Sequence, residues 1–415
     1  MHSRTPSAPP HNTQRLTTQP MLVEFRFANF RSYRDEQVFS MGAYMRAPDG
    51  LEFSACDTGR KDLPPLLKTA FLLGPNASGK TNMLAAFEAM QRVVRTSALM
   101  TSAPEKAPAY EGHDPFLYDE GIQKEPTYFE VTLELEGMRW QYGFLCGKER
   151  IEEEYLVAYN GVSPRVYFER VYIPEEEAYA VKYGPYFKGR RKAWEEATRA
   201  DALFLPTAVM LGSEQLRPIW DWFDERLIVL REGVPLKLDF LLANPAARAH
   251  AIRFLATADL MVAGIEPEGV RHRPGGPVVP WEKESAGVKR ILALASLVLA
   301  NAGDLTVLID DGEHHLHPML LEALIAFWQR EENAAHASQW ILAVHRDSVL
   351  EAVGTYPGTP KRLRRDQVWM CSKDVDEATR AVPLMQWKVR KSEAVYGGYR
   401  KGRYGSLPEI EALDV

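Results

Sequence analysis

The fold of this chain is decided by the stretch Gly74-Pro75-Asn76-Ala77-Ser78-Gly79-Lys80-Thr81. An apolar run at residues 70–73 precedes it, and apolar side chains at helical spacing follow it. The stretch matches the pattern G-x-x-x-x-G-K-[ST], in which a glycine-rich turn directs backbone N–H groups at phosphate oxygens. In such a loop Lys80 reaches the β- and γ-phosphates and the Thr81 hydroxyl binds Mg²⁺. We therefore expect an α/β protein with a P-loop NTPase fold.

Two other apolar runs end in polar residues. Residues 305–309 lead into Asp310-Asp311, and residues 340–344 lead into His345. The carboxyl ends of parallel strands meet at one edge of a sheet, which places these side chains beside the glycine loop. We expect Asp310 to hold Mg²⁺, mostly through water, because Mg²⁺ keeps much of its hydration shell. Asp311 would orient or deprotonate an attacking water, and His345 would contact that water and the γ-phosphate.

A fourth signal is Glu284-Ser285-Ala286-Gly287, which precedes an almost wholly apolar segment at residues 291–300. Ser285 is typical of a helix N-cap. The free N–H groups at such a helix start favour an anion. The sequence pattern fits both an anion site and a capped core helix without a ligand.

The order of these signals resembles that of ABC-type ATPase heads. In detail the chain is similar to the RloA-like AAA ATP-binding proteins, which bacterial abortive-infection and phage-defence loci encode. The likeness spans about residues 21–410. Besides the stretches above, it rests on Asn29-Phe30-Arg31-Ser32-Tyr33, on LIDDGEHHLHP at 308–318 and on Gly402-Arg403-Tyr404-Gly405-Ser406-Leu407-Pro408.

This resemblance implies an ABC-type head with an antiparallel β-subdomain and a helical insertion. It also implies an ATPase that needs ATP and Mg²⁺ and works as a homodimer or larger homo-oligomer, with ATP held between two heads. It assigns Mg²⁺ to Thr81 and Asp310, the catalytic acid to Asp311 and the switch histidine to His345. Leu316-His317-Pro318 matches a dimer-contact loop. The implied nucleotide contacts are Gly74, Asn76, Ser78, Gly79, Lys80, Thr81 and Asn82, with Ser285 and Gly287 from the opposite subunit.

One departure from the family pattern affects the expected rate. The usual residue at the position of Asp311 is Glu, and Asp is shorter by one methylene. A water molecule is therefore held less well, or the subunits must close more tightly. We expect slow hydrolysis. Glu313, two residues further on, is a weaker candidate for the same role.

The chain divides into four predicted segments. We expect a disordered tail at residues 1–20, and Met21 is a candidate for the true start of the protein. An N-terminal ATPase lobe at 21–189 would contain the P-loop and the β-subdomain, which alternating residues at 129–144 indicate. A helical insertion and connecting loop would occupy 190–280. The C-terminal lobe, 281–415, would carry the serine signature (residues 284–287), the acid pair (Asp310-Asp311) and His345.

The net charge and the distribution of basic residues limit which classes of binding partner are expected. The chain has 50 basic and 56 acidic residues, so its net charge of −6 argues against nucleic acid as the partner of the whole surface. Local basic clusters at 188–192 and 361–365 leave DNA contact open. No apolar run reaches the ~18 residues of a membrane span. The run at 313–317 is rich in His but lacks the i, i+4 spacing of a helical zinc site.

Three cysteines, Cys56, Cys146 and Cys371, lie far apart and support neither a disulfide framework nor a cysteine zinc site. This usage fits a reducing compartment and predicts a cytoplasmic protein.

The lengths of the segments between and after the motifs exclude some classes of ATPase. No heptad run lies between Lys80 and Glu284, which excludes long coiled-coil arms, and the 70 residues after His345 are too few for an appended nuclease domain. Three interpretations remain. The first is a defence ATPase that senses a signal and controls a separate effector, a nuclease or toxin. The second is a RecF-like repair ATPase that clamps DNA. The third is a scaffold that ATP locks together without catalysis.

Overall fold

The structure, a computed structural model, describes residues 20–45, 47, 51–99, 112–231, 239–257, 261–300, 305–314, 316–329, 338–353, 363–388 and 394–407. The predicted tail at residues 1–20 lies outside these ranges except for Pro20.

The strands are numbered in chain order. They are β1 (Met21–Ala28), β2 (Gln37–Ser40), β3 (Ala55–Cys56), β4 (Leu66–Leu67), β5 (Thr69–Leu73), β6 (Thr127–Leu135), β7 (Met138–Cys146), β8 (Ile151–Asn160), β9 (Ser163–Ile173), β10 (Ala178–Tyr183), β11 (Leu227–Leu230), β12 (Gly264–Glu266), β13 (Gly269–Arg271), β14 (Val278–Pro280), β15 (Thr306–Ile309), β16 (Gln339–Val344), β17 (Val368–Lys373) and β18 (Thr379–Pro383).

The α-helices are α1 (Lys80–Thr96), α2 (Arg191–Ala197), α3 (Phe204–Met210), α4 (Arg217–Asp221), α5 (Asp239–Ala243), α6 (Pro245–Thr257), α7 (Ala286–Ala300), α8 (Pro318–Trp328) and α9 (Val395–Tyr399).

A six-stranded sheet carries the glycine loop. Its order is β11-β15-β16-β5-β17-β18, and every neighbouring pair is parallel except β17 with β18. The carboxyl ends of β15, β16 and β5 therefore lie side by side. This is the edge at which α/β sheets bind ligands.

The central strands of this sheet are buried on both faces. In β5, Leu72 packs into one hydrophobic core while Phe71 and Leu73 pack into the other. In β15, Leu308 and Ile309 divide in the same way. Successive side chains of a strand point to opposite faces, so a continuous apolar run is the pattern that such a strand requires.

A seven-stranded antiparallel sheet in the order β10-β9-β8-β7-β6-β1-β2 encloses the first core. Helix α1 packs within that core, where the rings of Phe25 and Phe87 stack with their centroids 3.7 Å apart. Helices α5 to α8 contribute side chains to the second core on the opposite face of the six-stranded sheet. These features confirm the predicted P-loop fold with an antiparallel subdomain.

The segment at 190–280 differs from the predicted helical insertion. It contains α2 to α6, but β11 lies inside it and pairs with β15 as an edge strand of the ATPase sheet. The connecting loop expected at its end is instead a three-stranded sheet, β12-β13-β14. Four apolar residues at 227–230 fit a strand or a helix equally well, so sequence periodicity alone does not identify β11. The predicted domain boundaries stay predictions.

Near the C-terminus, Tyr399 and Tyr404 are buried in the second core, and the Tyr399 hydroxyl donates to the carbonyl of Ser406 at 2.9 Å. Arg400 forms an ion pair with Asp347 at 3.2 Å. These aromatic and basic residues thus dock onto the head itself. Among the helices of the described ranges, none is both long and apolar enough to cross a membrane.

Candidate nucleotide site at the carboxyl edge of the sheet

The glycine loop connects β5 directly to α1. Gly79 adopts φ +92°, and a Cβ there would lie 2.4 Å from Oγ1 of Thr379, so both conformation and space demand glycine. A Cβ on Gly74 would lie 2.4 Å from the carbonyl oxygen of Cys371. Helix α1 has no side-chain cap at its start. Its first N–H groups are therefore available to an anion.

Ser78 and Asn76 occupy different parts of the loop. Ser78 is buried, and its hydroxyl finds no hydrogen-bond partner among the described residues. A buried polar atom without a partner is costly, and a ligand oxygen would relieve that cost. Asn76 is exposed at the tip of the loop. The loop thus offers donors on its inner side, as the sequence pattern predicts.

Lys80 lies within this loop with 3% of its surface exposed. Its Nζ donates to the carbonyl oxygens of Gly74 at 2.7 Å and Pro75 at 2.8 Å. Burial lowers the pKa of Lys80 below its usual range, and nearby groups, including Glu313 and Asp311, oppose that shift. The ammonium group is already withdrawn from water and is held by acceptors that a phosphate can replace.

Asp310 joins the glycine loop to the end of β15. Its Oδ1 accepts a hydrogen bond of 3.1 Å from the Thr81 hydroxyl. Burial raises the pKa of Asp310, and Asp311 adds to the rise, while Thr81 and Arg231 oppose it. Arg231 directly follows β11, so the strand that the sequence did not reveal brings a cation to this edge.

The donor set of Thr81 and Asp310 fits Mg²⁺. Both groups present oxygen, which this ion prefers, and Mg²⁺ is usually held by one or two carboxylates with water in its other positions. In the described part of the chain, no three His, Cys, Asp or Glu side chains cluster so that they could hold a metal ion together. A site with few protein ligands is therefore the kind that these residues can form.

Asp311 and His345 meet across the ends of β15 and β16. Nε2 of His345 and Oδ1 of Asp311 are 2.9 Å apart, and roughly two-fifths of each side chain is exposed. Asp311 has a left-handed backbone with φ 49°. This conformation is uncommon for residues with a side chain. The two predicted catalytic residues therefore share a hydrogen bond at the open edge of the site.

Glu313 lies deeper and has different partners. One carboxylate oxygen accepts the backbone N–H groups of His345 at 2.5 Å and Arg346 at 3.1 Å. The side chain is buried, with 7% of the residue exposed. In the same run, Nδ1 of His317 accepts from the N–H of Met319 and caps α8, so Glu313 and His317 both bind backbone N–H groups.

Asn82, Ser32 and Tyr33 form hydrogen bonds that support the glycine loop on its protein side. The Asn82 amide donates to the Ser32 hydroxyl at 2.8 Å, and the Thr379 hydroxyl lies 2.8 Å from the same oxygen. The Tyr33 hydroxyl donates to the carbonyl of Gly79 at 3.2 Å. Sequence reasoning missed Thr379. It also placed Asn82 among the nucleotide contacts, whereas here its amide binds Ser32.

Ser285 caps helix α7, as expected. Its hydroxyl accepts the N–H of Val288 at 3.2 Å. Glu284 accepts the Ser285 N–H at 2.7 Å through one oxygen and contacts Nε2 of His272 at 2.7 Å through the other. Nδ1 of His272 lies 2.8 Å from the Met261 carbonyl.

Ser285 is exposed and Gly287 is partly exposed, and within the described residues of one chain no hydrogen bond links either to the glycine loop.

A family model described as "AAA domain, putative AbiEii toxin, Type IV TA system" matches residues 70–178 and 246–351, together just over half of the chain. The chain belongs to this family. The matched ranges contain the glycine loop, the serine signature, the acid pair and His345. The protein therefore has an ATPase-type P-loop domain.

No curated protein matches the sequence. Similar solved structures include the SMC head domain from Thermotoga maritima, with 15% identity, 87% of this chain and 98% of that chain covered, and a TM-score of 0.40. Another is an Smc head domain with an extended coiled coil, bound to the C-terminal domain of ScpA derived from Pyrococcus furiosus. Its identity is 12%, its coverage 88% of this chain and 97% of that one, and its TM-score 0.39.

Proposed function

We propose that this chain binds Mg–ATP in the glycine loop and hydrolyses it slowly while two copies enclose the nucleotide. The observation that supports this most is the meeting of Thr81 with Asp310 beside the buried Lys80. Lys80 supplies positive charge for the phosphates, and Thr81 and Asp310 supply oxygen ligands for Mg²⁺. When bound, Mg²⁺ would neutralise phosphate charge that repels an attacking water.

The exposed pair, Asp311 and His345, is proposed to handle that water. Oδ1 of Asp311 accepts from Nε2 of His345, which leaves the second carboxylate oxygen to orient the water and take its proton. The hydrogen bond fixes both side chains in one arrangement. Because the aspartate is short, its reach depends on how tightly the site closes, and slow turnover follows.

Closure is proposed to come from a second copy. Ser285 and Gly287 lie at the start of α7 and make no hydrogen bond to the glycine loop among the described residues of the same chain, and Ser285 is exposed. In a facing copy, this helix start would present N–H groups to the far end of the triphosphate. The proposed active form is therefore a homodimer or a larger homo-oligomer.

The proposed biological role is that of a cytoplasmic regulator in bacterial anti-phage defence, which controls a separate effector such as a nuclease or toxin. The family description names a toxin of a type IV toxin–antitoxin system, which supports a two-gene system, although it gives the toxin role to this family and not to its partner. A neighbouring gene for a nuclease or toxin would support this role, and a replication operon would contradict it.

Two alternative functions remain, and the first has a specific observation in its favour. RecF-like repair ATPases also have an aspartate pair at the end of this strand, where this chain has Asp310 and Asp311. In addition, Lys188, Arg190 and Lys192 are exposed, so they are available for contact with DNA. In the other basic cluster, Arg364 is buried and ion-paired with Asp366, so it is not available to DNA, whereas Arg365 is partly exposed. Residues 361–362 lie outside the described ranges. A scaffold that is locked by ATP needs only the binding residues and no turnover.

The direct test is to measure the mass of the full chain by light scattering with Mg–ATP, with ATP plus a chelator and without nucleotide, together with phosphate release. We expect the mass to double only with Mg–ATP and phosphate to appear slowly. Failure to bind ATP would overturn the proposal as a whole. Assembly without any phosphate release would favour the scaffold.

A further inference from the structure

We infer that Glu313 is a positioning residue that holds His345 in place, and that it is not the base that activates water. The catalytic part of this inference rests on the proposed ATPase function. Its structural part stands on the hydrogen bonds between Glu313 and the end of β16.

The chain turns sharply after β15 and comes into contact with the end of β16. Asp311 takes a left-handed conformation, and the N–H of Gly312 then donates to the Ala343 carbonyl at 2.8 Å. A Cβ on Gly312 would lie 2.9 Å from Cδ2 of Leu342, so the backbone passes close to the neighbouring strand. This turn directs the Glu313 side chain towards the residues that follow β16.

Glu313 then binds the backbone at the point where β16 ends. A single oxygen, Oε1, accepts two successive N–H groups, those of His345 and Arg346. Because the residue is buried, water does not compete well for these two donors.

His345 is consequently held at two points by residues from one short turn. Glu313 fixes its backbone, and Asp311 binds its ring at 2.9 Å. The ring cannot keep its distance to Asp311 if the backbone of residue 345 shifts. Glu313 therefore acts on the water-binding carboxylate through the histidine.

The other carboxylate oxygen, Oε2, is buried and has no hydrogen-bond partner among the described residues. Glu313 also contributes negative potential at Lys80. These two facts support the opposing view, in which Glu313 itself receives a proton. The choice between the two roles depends on whether its charge or its accepting oxygen is needed.

Two substitutions separate charge from hydrogen bonding. Glu313→Gln keeps an oxygen that accepts both N–H groups and removes the charge, whereas Glu313→Ala removes both. We expect Glu313→Gln to retain most of the turnover and Glu313→Ala to lose about 10²-fold in kcat, the size of effect that a small misplacement of a catalytic group causes. ATP affinity should stay unchanged in both. Glu120→Gln, at an exposed glutamate, is the matched control.

A double-mutant cycle tests the route through the histidine. In a His345→Ala background, Glu313→Ala should cost little further activity, because the group that it positions is gone. Full additivity would overturn the inference. Equal losses of about 10²–10⁴ in Glu313→Gln and Glu313→Ala would also overturn it and assign Glu313 the role of base.

Hydrogen exchange tests the hold on the backbone without any catalysis. The amides of His345 and Arg346 should be protected in the wild-type chain and in Glu313→Gln, and should exchange faster in Glu313→Ala. If these amides exchange at the wild-type rate in Glu313→Ala, Glu313 does not hold the backbone at the end of β16, and the inference is wrong. If Glu313→Ala does not fold, Glu313→Asp, whose shorter side chain reaches less far, should show the faster exchange. A wild-type chain without ATP turnover would contradict the proposed function but leave this measurement decisive.

Discussion

The Thr81 hydroxyl and the Asp310 carboxylate, 229 residues apart in the chain, form a hydrogen bond of 3.1 Å. This bond joins helix α1 to the end of strand β15, which Asp310 follows. It brings the two oxygen atoms that we propose as Mg²⁺ ligands next to each other in the chain without an ion. The nucleotide site is thus largely preformed in a single chain, and its proposed dependence on a second copy concerns closure.

Lys80→Ala should weaken ATP binding. The variant loses a charge-assisted contact worth about 1.5–3 kcal/mol, which corresponds to a rise in Kd of roughly 10- to 150-fold. Titration calorimetry with Mg–ATP measures this directly. Lys61→Ala, at an exposed lysine, should leave Kd unchanged. Equal affinity of wild type and Lys80→Ala would contradict the assignment of the phosphate loop.

Asp311→Asn should bind ATP and assemble like the wild type but lose turnover by about 10²–10⁴, because the amide cannot accept a proton from water. Single-turnover phosphate release and light scattering measure the two properties separately. If the variant keeps full biological activity, ATP acts as a lock and turnover is incidental. A near-normal rate would move the base elsewhere.

Mixing two inactive variants should restore activity if the site is shared between copies. Lys80→Ala damages the glycine loop, and Ser285→Arg damages the start of α7. In a mixed dimer, the intact loop of one copy meets the intact serine of the other, so one complete site forms. ATP turnover of the mixture should therefore exceed that of either variant alone. No recovery, with mixed dimers demonstrated by mass, would argue that each chain uses its own Ser285.

The contact of His272 with Glu284 should make local stability depend on pH. The hydrogen bond from the ring to the Met261 carbonyl raises the pKa of His272, and Glu284 adds to the rise. Since the folded pKa lies above the unfolded one, the stabilisation is fully present below about pH 6.5 and is lost as the pH rises through the folded value. NMR titration of the ring checks the pKa.

Thermal unfolding of wild type and His272→Gln at several pH values checks the stability. The difference between the two proteins should be largest at low pH and shrink as the pH rises. A difference that does not change with pH would show that His272 contributes only neutral hydrogen bonds.

Local sequence patterns were sufficient for the parts of the site that each depend on a short segment. The glycine loop, the strands before Asp310 and His345, and the Ser285 cap all follow from neighbouring residues. The missed features depend on contacts between distant segments. Thr379 meets Ser32 across 347 residues, and Arg231 reaches the site only because β11 joins the sheet. No spacing rule within one segment reveals such pairs.

The sheet order has a consequence for synthesis on the ribosome. Strand β5 lies between β16 and β17, so the strand that leads into the glycine loop gains its two neighbours only after some 300 further residues have been made. Pairings between such remote segments form slowly. A nascent chain should therefore bind nucleotide only after β16 and β17 have been made, and products that carry the intact loop but end before these strands should be inactive.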